Sequence, residues 1–251
     1  MASRKKNKIM STFHFQQFSV LQKNSGMKIC TDAVLFGAMA PVHPGIQVLD
    51  IGTGTGVLAL MAAQLGAANV TAVELTLEAF TEAKSNFNHS PWAGRLLAVH
   101  QDIQGFALTA GRQYDLIISN PPFFENHSKT VDALRNTARH TDQLPFTDLI
   151  GIVGQLLAPQ GLFYLLIPEP AVCQFSALAL GAGLQLNQQT DFRAYSNSKA
   201  KVSALIFSRS ATAVTQSVLT IYDSRGIYSS TSAAYLKAFL LRFAQELLFS
   251  N

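Results

Sequence analysis

The run Val48-Leu49-Asp50-Ile51-Gly52-Thr53-Gly54-Thr55-Gly56 closes an apolar stretch with a carboxylate and follows it with three alternating glycines. That order predicts a strand, a tight glycine turn and a helix opening at Val57, an arrangement that cradles a nucleotide-like ligand. The spacing departs from the dinucleotide fingerprint G-x-G-x-x-G. Counted from Gly52, the third glycine is due at Val57 and arrives one residue early, at Gly56. Asp50 would repel a pyrophosphate and favours a cationic ligand. S-adenosylmethionine meets that requirement, having a sulfonium, an ammonium and no phosphate. Glu74 lies 22 positions after Gly52, at the end of the next predicted strand, where an acid accepts hydrogen bonds from both ribose hydroxyls. Asp102, after a third strand, either receives the adenine amino group or caps a short helical turn.

A second stretch, Asn120-Pro121-Pro122-Phe123, ends a later apolar run. The exocyclic nitrogen of adenine is a poor nucleophile because its lone pair is delocalised into the ring. An acceptor on each N–H draws the group toward a pyramidal shape and frees that lone pair. The Asn120 side-chain oxygen and the Pro121 carbonyl supply two acceptors, and Pro122 stiffens the loop that holds them. Phe123 offers a ring on which a flat base stacks. No strong base is needed, since a sulfonium methyl is already activated and in-line transfer depends on positioning. Taken alone, Asn-Pro-Pro is ordinary turn chemistry. Its place beside the glycine turn, at the carboxyl end of a strand, gives it meaning.

Positioning these residues requires alternating strands and helices. Strands are expected at 46–51, 69–74, 95–100, 114–119 and 162–167, with helices at 57–65, 77–87, 144–157 and 171–180. Such alternation implies a parallel sheet covered on both faces. Ahead of it, Phe13, Phe15 and Phe18 suggest a short strand or a covering segment. Thr31 and Asp32 are suited to cap a helix running to about Met39. Toward the end, 184–192, 202–207 and 218–222 read as strands without intervening helices, an antiparallel end to the sheet. Residues 232–249 read as an amphipathic helix.

With 251 residues, 48% hydrophobic and 14% charged, the chain suits one domain spanning 13–251 after a flexible basic tail at 1–12. The two cysteines form no CxxC, the six histidines show no ligand spacing, and no apolar run is a clean membrane span. A reducing cytoplasm, no metal and no membrane are therefore expected, with a monomer or weak dimer. The net charge is +4, and Arg4, Lys5, Lys6 and Lys8 crowd the start. They either meet phosphate or serve only solubility. Lys129, Arg135, Arg139, Lys199 and Lys201 are further candidates for RNA contact, with His140 beside them.

With these residues in hand, the chain resembles the class I S-adenosylmethionine-dependent methyltransferases, and within them the amino-methylating enzymes carrying an N-P-P-aromatic motif. More narrowly it resembles the bacterial tRNA1(Val) (adenine-37-N6)-methyltransferase family. The likeness lies in Met27–Pro41, Ala72-Val73-Glu74-Leu75, Asn88-His89-Ser90-Pro91-Trp92-Ala93, the Asn-Pro-Pro-Phe loop and Tyr222–Tyr235, and covers nearly all of the chain beyond the tail. It implies an α/β, Rossmann-like fold: a seven-stranded, mostly parallel sheet, helices on both faces and an antiparallel C-terminal end. It implies methylation of N6 of adenine 37, next to the anticodon of valine tRNA. Asp50, Gly52, Gly54, Glu74, Asp102 and Asn120 would hold the donor, Thr31 and Asp32 would close over it, and Asn120, Pro121, Pro122 and Phe123 would hold the base. Phe123 stands where adenine-N6 enzymes often carry tyrosine, and phenylalanine also occurs in guanine-N2 enzymes of ribosomal RNA. Glutamine N5-methylation of a protein and a non-catalytic RNA-binding module are the other readings. Too few residues precede Asp50 for the helical N-terminal domain of the glutamine enzymes, and intact Asp50, Glu74 and Asn120 argue against lost catalysis.

Overall fold

The computed structural model describes residues 12–23, 28–121 and 144–247. A short antiparallel hairpin, β1 (Thr12–His14) and β2 (Ser19–Leu21), precedes helix α1 (Thr31–Ala38). The alternating part then follows as β3 (Gln47–Ile51), α2 (Val57–Leu65), β4 (Asn69–Glu74), α3 (Leu77–Asn88), β5 (Leu96–His100), α4 (Ile103–Thr109) and β6 (Tyr114–Ser119). Beyond residue 143 come α5 (Phe146–Leu156), β7 (Leu157–Pro168), α6 (Val172–Gly181), β8 (Gln185–Arg193), β9 (Ala200–Ser208) and β10 (Thr215–Thr220). A small ladder, β11 (Tyr222–Ser224) with β12 (Ile227–Tyr228), leads into α7 (Ser230–Leu236).

One sheet of eight strands, ordered β10-β8-β9-β7-β6-β3-β4-β5, runs through the molecule. Side chains alternate along each strand, so each strand feeds two cores. Val48, Val70, Ala72, Leu116, Ile118, Tyr164 and Leu166 face the core shared with α1, α2 and the N-terminal hairpin. Leu49, Ile51, Val73, Ile117, Phe163, Leu165 and Ile167 face the other, shared with α4, α5 and α6. Both faces being covered, the strands read as near-continuous apolar runs.

Several expectations are corrected here. The sheet has eight strands rather than seven, and its end is less antiparallel than expected. Only β9 opposes its neighbours β7 and β8, while β10 runs parallel to β8. Because β9 points downward, it finishes at the amino edge of the sheet. The loop 209–214 then needs only to pass β8, and β10 climbs beside it. The last helix stops at Leu236 and a 3-10 turn, Leu241–Leu247, takes its place. Gln16 explains the break: its Nε2 donates to the carbonyls of Lys237 and Leu240, both at 2.8 Å, and its own amide donates to Phe239 O. Those bonds hold the chain against the N-terminal hairpin. Helix α1 is capped by Cys30 without a side-chain bond, so Thr31 and Asp32 are its first residues, not its caps. Thr12 already belongs to β1, which moves the edge of the predicted tail; residues 1–11 lie outside the described residues.

Candidate active site

Parallel register puts the site together. Ile51 pairs with Val73 on one side and Ser119 on the other, and Ser119 Oγ donates to Ile51 O at 3.1 Å. Gly52, Glu74 and Asn120 therefore leave three adjacent strands side by side at the carboxyl edge. From β3 the chain winds outward through β4 and β5, then returns to lay β6 on the opposite flank of β3. This reversal makes the switch point between the ends of β3 and β6, the crevice position at which open α/β sheets bind ligands. The glycine bend forms one lip and Asn120 the other.

The three glycines do different work. Gly52, Gly54 and Gly56 have φ of 71°, 58° and 85°, a region in which a Cβ is strained. A Cβ on Gly52 or Gly54 would meet nothing within 4 Å, so both border open space. A Cβ on Gly56 would lie 2.4 Å from Phe87 Cε1, so that glycine serves the packing of α2 on α3. Four amides of the turn are already committed. Gly52 N and Thr53 N donate to Val73 O, Gly54 N to Glu74 Oε2 and Gly56 N to Thr53 O. A phosphate cradle needs such amides free. With four amides taken, this turn has few left to offer a phosphate.

The acids disfavour a phosphate too. Asp50 is fully buried, on the face of β3 toward α2; Thr53 Oγ1 donates to its Oδ2 at 2.5 Å, and Oδ1 has no hydrogen-bond partner. Burial pushes the Asp50 carboxyl up to about 7, the negative charge of Glu74 adds to the rise, and Thr53 and the Ala59 amide oppose it. An orphaned buried acceptor is a position prepared for a cation or an N–H donor. Glu74 lies two residues beyond Ala72 on that face. Its Oε2 accepts from Gly54 N, and its Oε1 from Thr76 N and Thr76 Oγ1, all at 2.9 Å. Three of the roughly four acceptor positions of a carboxylate are thus taken, so Glu74 first fixes the turn and has room for about one further donor.

Asp102 is the N-cap of α4, its Oδ1 accepting from Gly105 N at 2.6 Å. The capping alternative is realised, and its exposed carboxylate borders the same edge of the sheet. Thr31 and Asp32 meet the far half of the sheet instead of the glycine bend. Thr31 Oγ1 is 3.0 Å from Tyr222 Oη, and both residues line a cavity of about 270 Å3 with Lys201. Burial raises the Asp32 carboxyl and the charge of Lys201 opposes this. Lys199 and Lys201 are exposed beside the start of β9. Asn120 and Pro121 are half-buried. Pro122, Phe123, Lys129, Arg135, Arg139, His140, Arg4, Lys5, Lys6 and Lys8 lie outside the described residues.

Two supports are not evident from the sequence motifs. Thr53 orients Asp50, and a hydroxyl three residues past the acid was its visible signal. Buried Asn86 ties Leu21 to the turn, accepting from Leu21 N at 2.8 Å and donating to Leu21 O at 3.0 Å and Thr55 O at 2.9 Å. Nothing in its local pattern marks it. Among the described residues no group of three or more His, Cys, Asp or Glu is placed to hold a metal, and no helix is long and apolar enough to cross a membrane.

This fold and crevice define a class I S-adenosylmethionine-dependent methyltransferase. A model of the methyltransferase small domain matches residues 30–144. Among solved structures, a predicted O-methyltransferase from Agrobacterium tumefaciens superposes with a TM-score of 0.63, covering 82% of this chain and 95% of its own at 17% identity, a likeness of fold. A tRNA1(Val) (adenine(37)-N6)-methyltransferase of Flavobacterium psychrophilum is 38% identical over 92% of this chain and 99% of its own length. One of Phocaeicola vulgatus is 40% identical over 91% and 97%. The chain belongs to the tRNA1(Val) (adenine(37)-N6)-methyltransferase family.

Proposed function

We propose that this chain transfers a methyl group from S-adenosylmethionine to N6 of adenine 37 in valine tRNA, using the crevice between the ends of β3 and β6. The observation that carries the reading is the pairing of Ile51 with Ser119, which sets a phosphate-averse glycine bend next to Asn120. S-adenosylmethionine supplies a methyl made electrophilic by its sulfonium. Asp50 and the bare edges of Gly52 and Gly54 form the donor side, and Glu74, held by Thr76, accepts a ribose hydroxyl. Asp102 retains one carboxylate oxygen for the adenine amino group. Thr31 and Asp32, which meet the far half of the sheet, are no part of the donor side.

On the other lip, Asn120 and the Pro121 carbonyl accept the two N–H groups of the target amine, with Pro122 and Phe123 completing the loop. Bonding that strengthens as the amine becomes cationic lowers the barrier. A tRNA substrate needs its base unstacked and its phosphates met. Lys199 and Lys201 are basic residues on that side of the sheet. Residues from Thr12 onward act as one catalytic domain in the cytoplasm, as a monomer or weak dimer.

Nucleoside mass spectrometry on tRNA incubated with the protein and labelled donor tests this. The expected product is N6-methyladenosine at the position 3′ of the anticodon, reduced at least about 100-fold by Asn120→Ala, which still binds donor by calorimetry. N2-methylguanosine or no methylated nucleoside from the wild-type chain would refute it.

A further inference from the structure

Three tyrosines gather where the far half of the sheet ends. β8 stops at Arg193 and β10 at Thr220, and the bonds Ile221 N to Arg193 O and Tyr222 N to Ala194 O carry their pairing past the strand ends. Tyr195 and Tyr222 are thereby brought together, with ring centroids 5.9 Å apart. The β11–β12 ladder lays Tyr228 on Tyr222 at 5.1 Å with planes 19° apart. Thr31 holds the middle ring through its hydroxyl. The Arg242 guanidinium closes the Tyr228 end at 4.9 Å and is itself held by Gly226 O. At the other end, Tyr195 has Tyr222 as its only ring neighbour among the described residues and is half-buried.

Beside Tyr222 lies the cavity of about 270 Å3 lined also by Ala194, Asp32 and Lys201. Because β9 runs antiparallel, its first residues lie at the carboxyl edge of β7, where Val202 pairs with Pro168. Lys201 thus shares the edge of the sheet from which Asn120 leaves. A half-exposed aromatic row with cations at its margins suits unpaired nucleotides, whose bases stack and whose phosphates need charge. Asp32 is the acid facing the cavity, and Lys201 offsets its charge.

We propose that Tyr195 and the row behind it form a stacking platform for an unpaired nucleotide flanking the target base, with Lys201 meeting the adjoining phosphate. The proposal rests on the RNA-methylating reading and names the surface that delivers the base to Asn120. Tyr195 is a binding residue in this scheme and touches no reacting atom.

The test uses the full-length chain and valine tRNA. The wild-type product is measured first, so absence of methylated nucleoside there overturns the functional reading and not the platform. Given that product, Tyr195→Leu is expected to raise KM for tRNA about tenfold, with kcat at saturating tRNA and donor affinity held within about twofold. Tyr195→Phe, which keeps the ring, is expected to restore KM. An unchanged KM in Tyr195→Leu, or a Phe variant as impaired as the Leu one, overturns the platform. Should Tyr195→Leu lose donor binding, Lys201→Gln decides. A plot of log affinity against log salt shallower by about one charge supports the proposal, and an unaltered slope overturns it.

Discussion

A carboxylate without a partner for one oxygen ties folding and donor binding to pH. Burial raises Asp50 to about 7, so the folded chain keeps a proton that the unfolded chain releases in the ordinary carboxylate range. Asp50 therefore favours folding most at low pH, and that contribution is lost as pH rises through about 7. Donor binding has the opposite sign. A cation at Oδ1 favours the ionised form, so binding expels a proton and affinity climbs with pH until about 7, then levels. Calorimetry and thermal melts between about pH 5 and about pH 9 check both slopes against Asp50→Asn, which should flatten them. Equal slopes in the two proteins would remove Asp50 from the donor site. The charge and place of Asp50 were legible in the sequence. Its missing partner was not, because what reaches a buried oxygen depends on Thr53 and the start of α2 together.

Among the elements, the β3–α2 turn separates ligand demands from packing demands. Gly54→Ala adds a methyl to open space at φ 58°, and is expected to lower stability by only about 1 kcal/mol while weakening donor binding at least about tenfold. Gly56→Ala drives a methyl into Phe87, and is expected to cost about 3 kcal/mol of stability at φ 85°. Thermal melts with donor titrations distinguish the two; similar stability losses would dissolve the distinction. The parallel strands and their helices were readable because each carries its own period and turn residues. What escaped was decided by partners distant in sequence. Gln16 breaks the final helix, Tyr222 takes the hydroxyl of Thr31, and β10 finds β8 from the amino edge. In the site, Asp50, the glycines, Glu74 and Asn120 were readable as a local motif set. The tyrosine row was not, since its members come from the loop after β8, from β11 and from β12.

At the scale of the whole molecule, donor and acceptor lips occupy one edge of one sheet, and the RNA must approach that edge. Deleting residues 2–8 removes Arg4, Lys5, Lys6 and Lys8. The expected result is weaker tRNA binding at low salt and a shallower salt dependence, by up to about 0.9 for each phosphate that the tail neutralises. An unchanged binding constant at low salt would leave the tail without a part in recognition. The central claim, that glycine bend and Asn120 share a cleft, is tested most directly with a conjugate joining a donor analogue to N6 of adenosine. Calorimetry should find it at least about a hundredfold tighter than the donor half alone, and most of that advantage should vanish in Asn120→Ala. A conjugate that binds no better than its donor half would contradict the account.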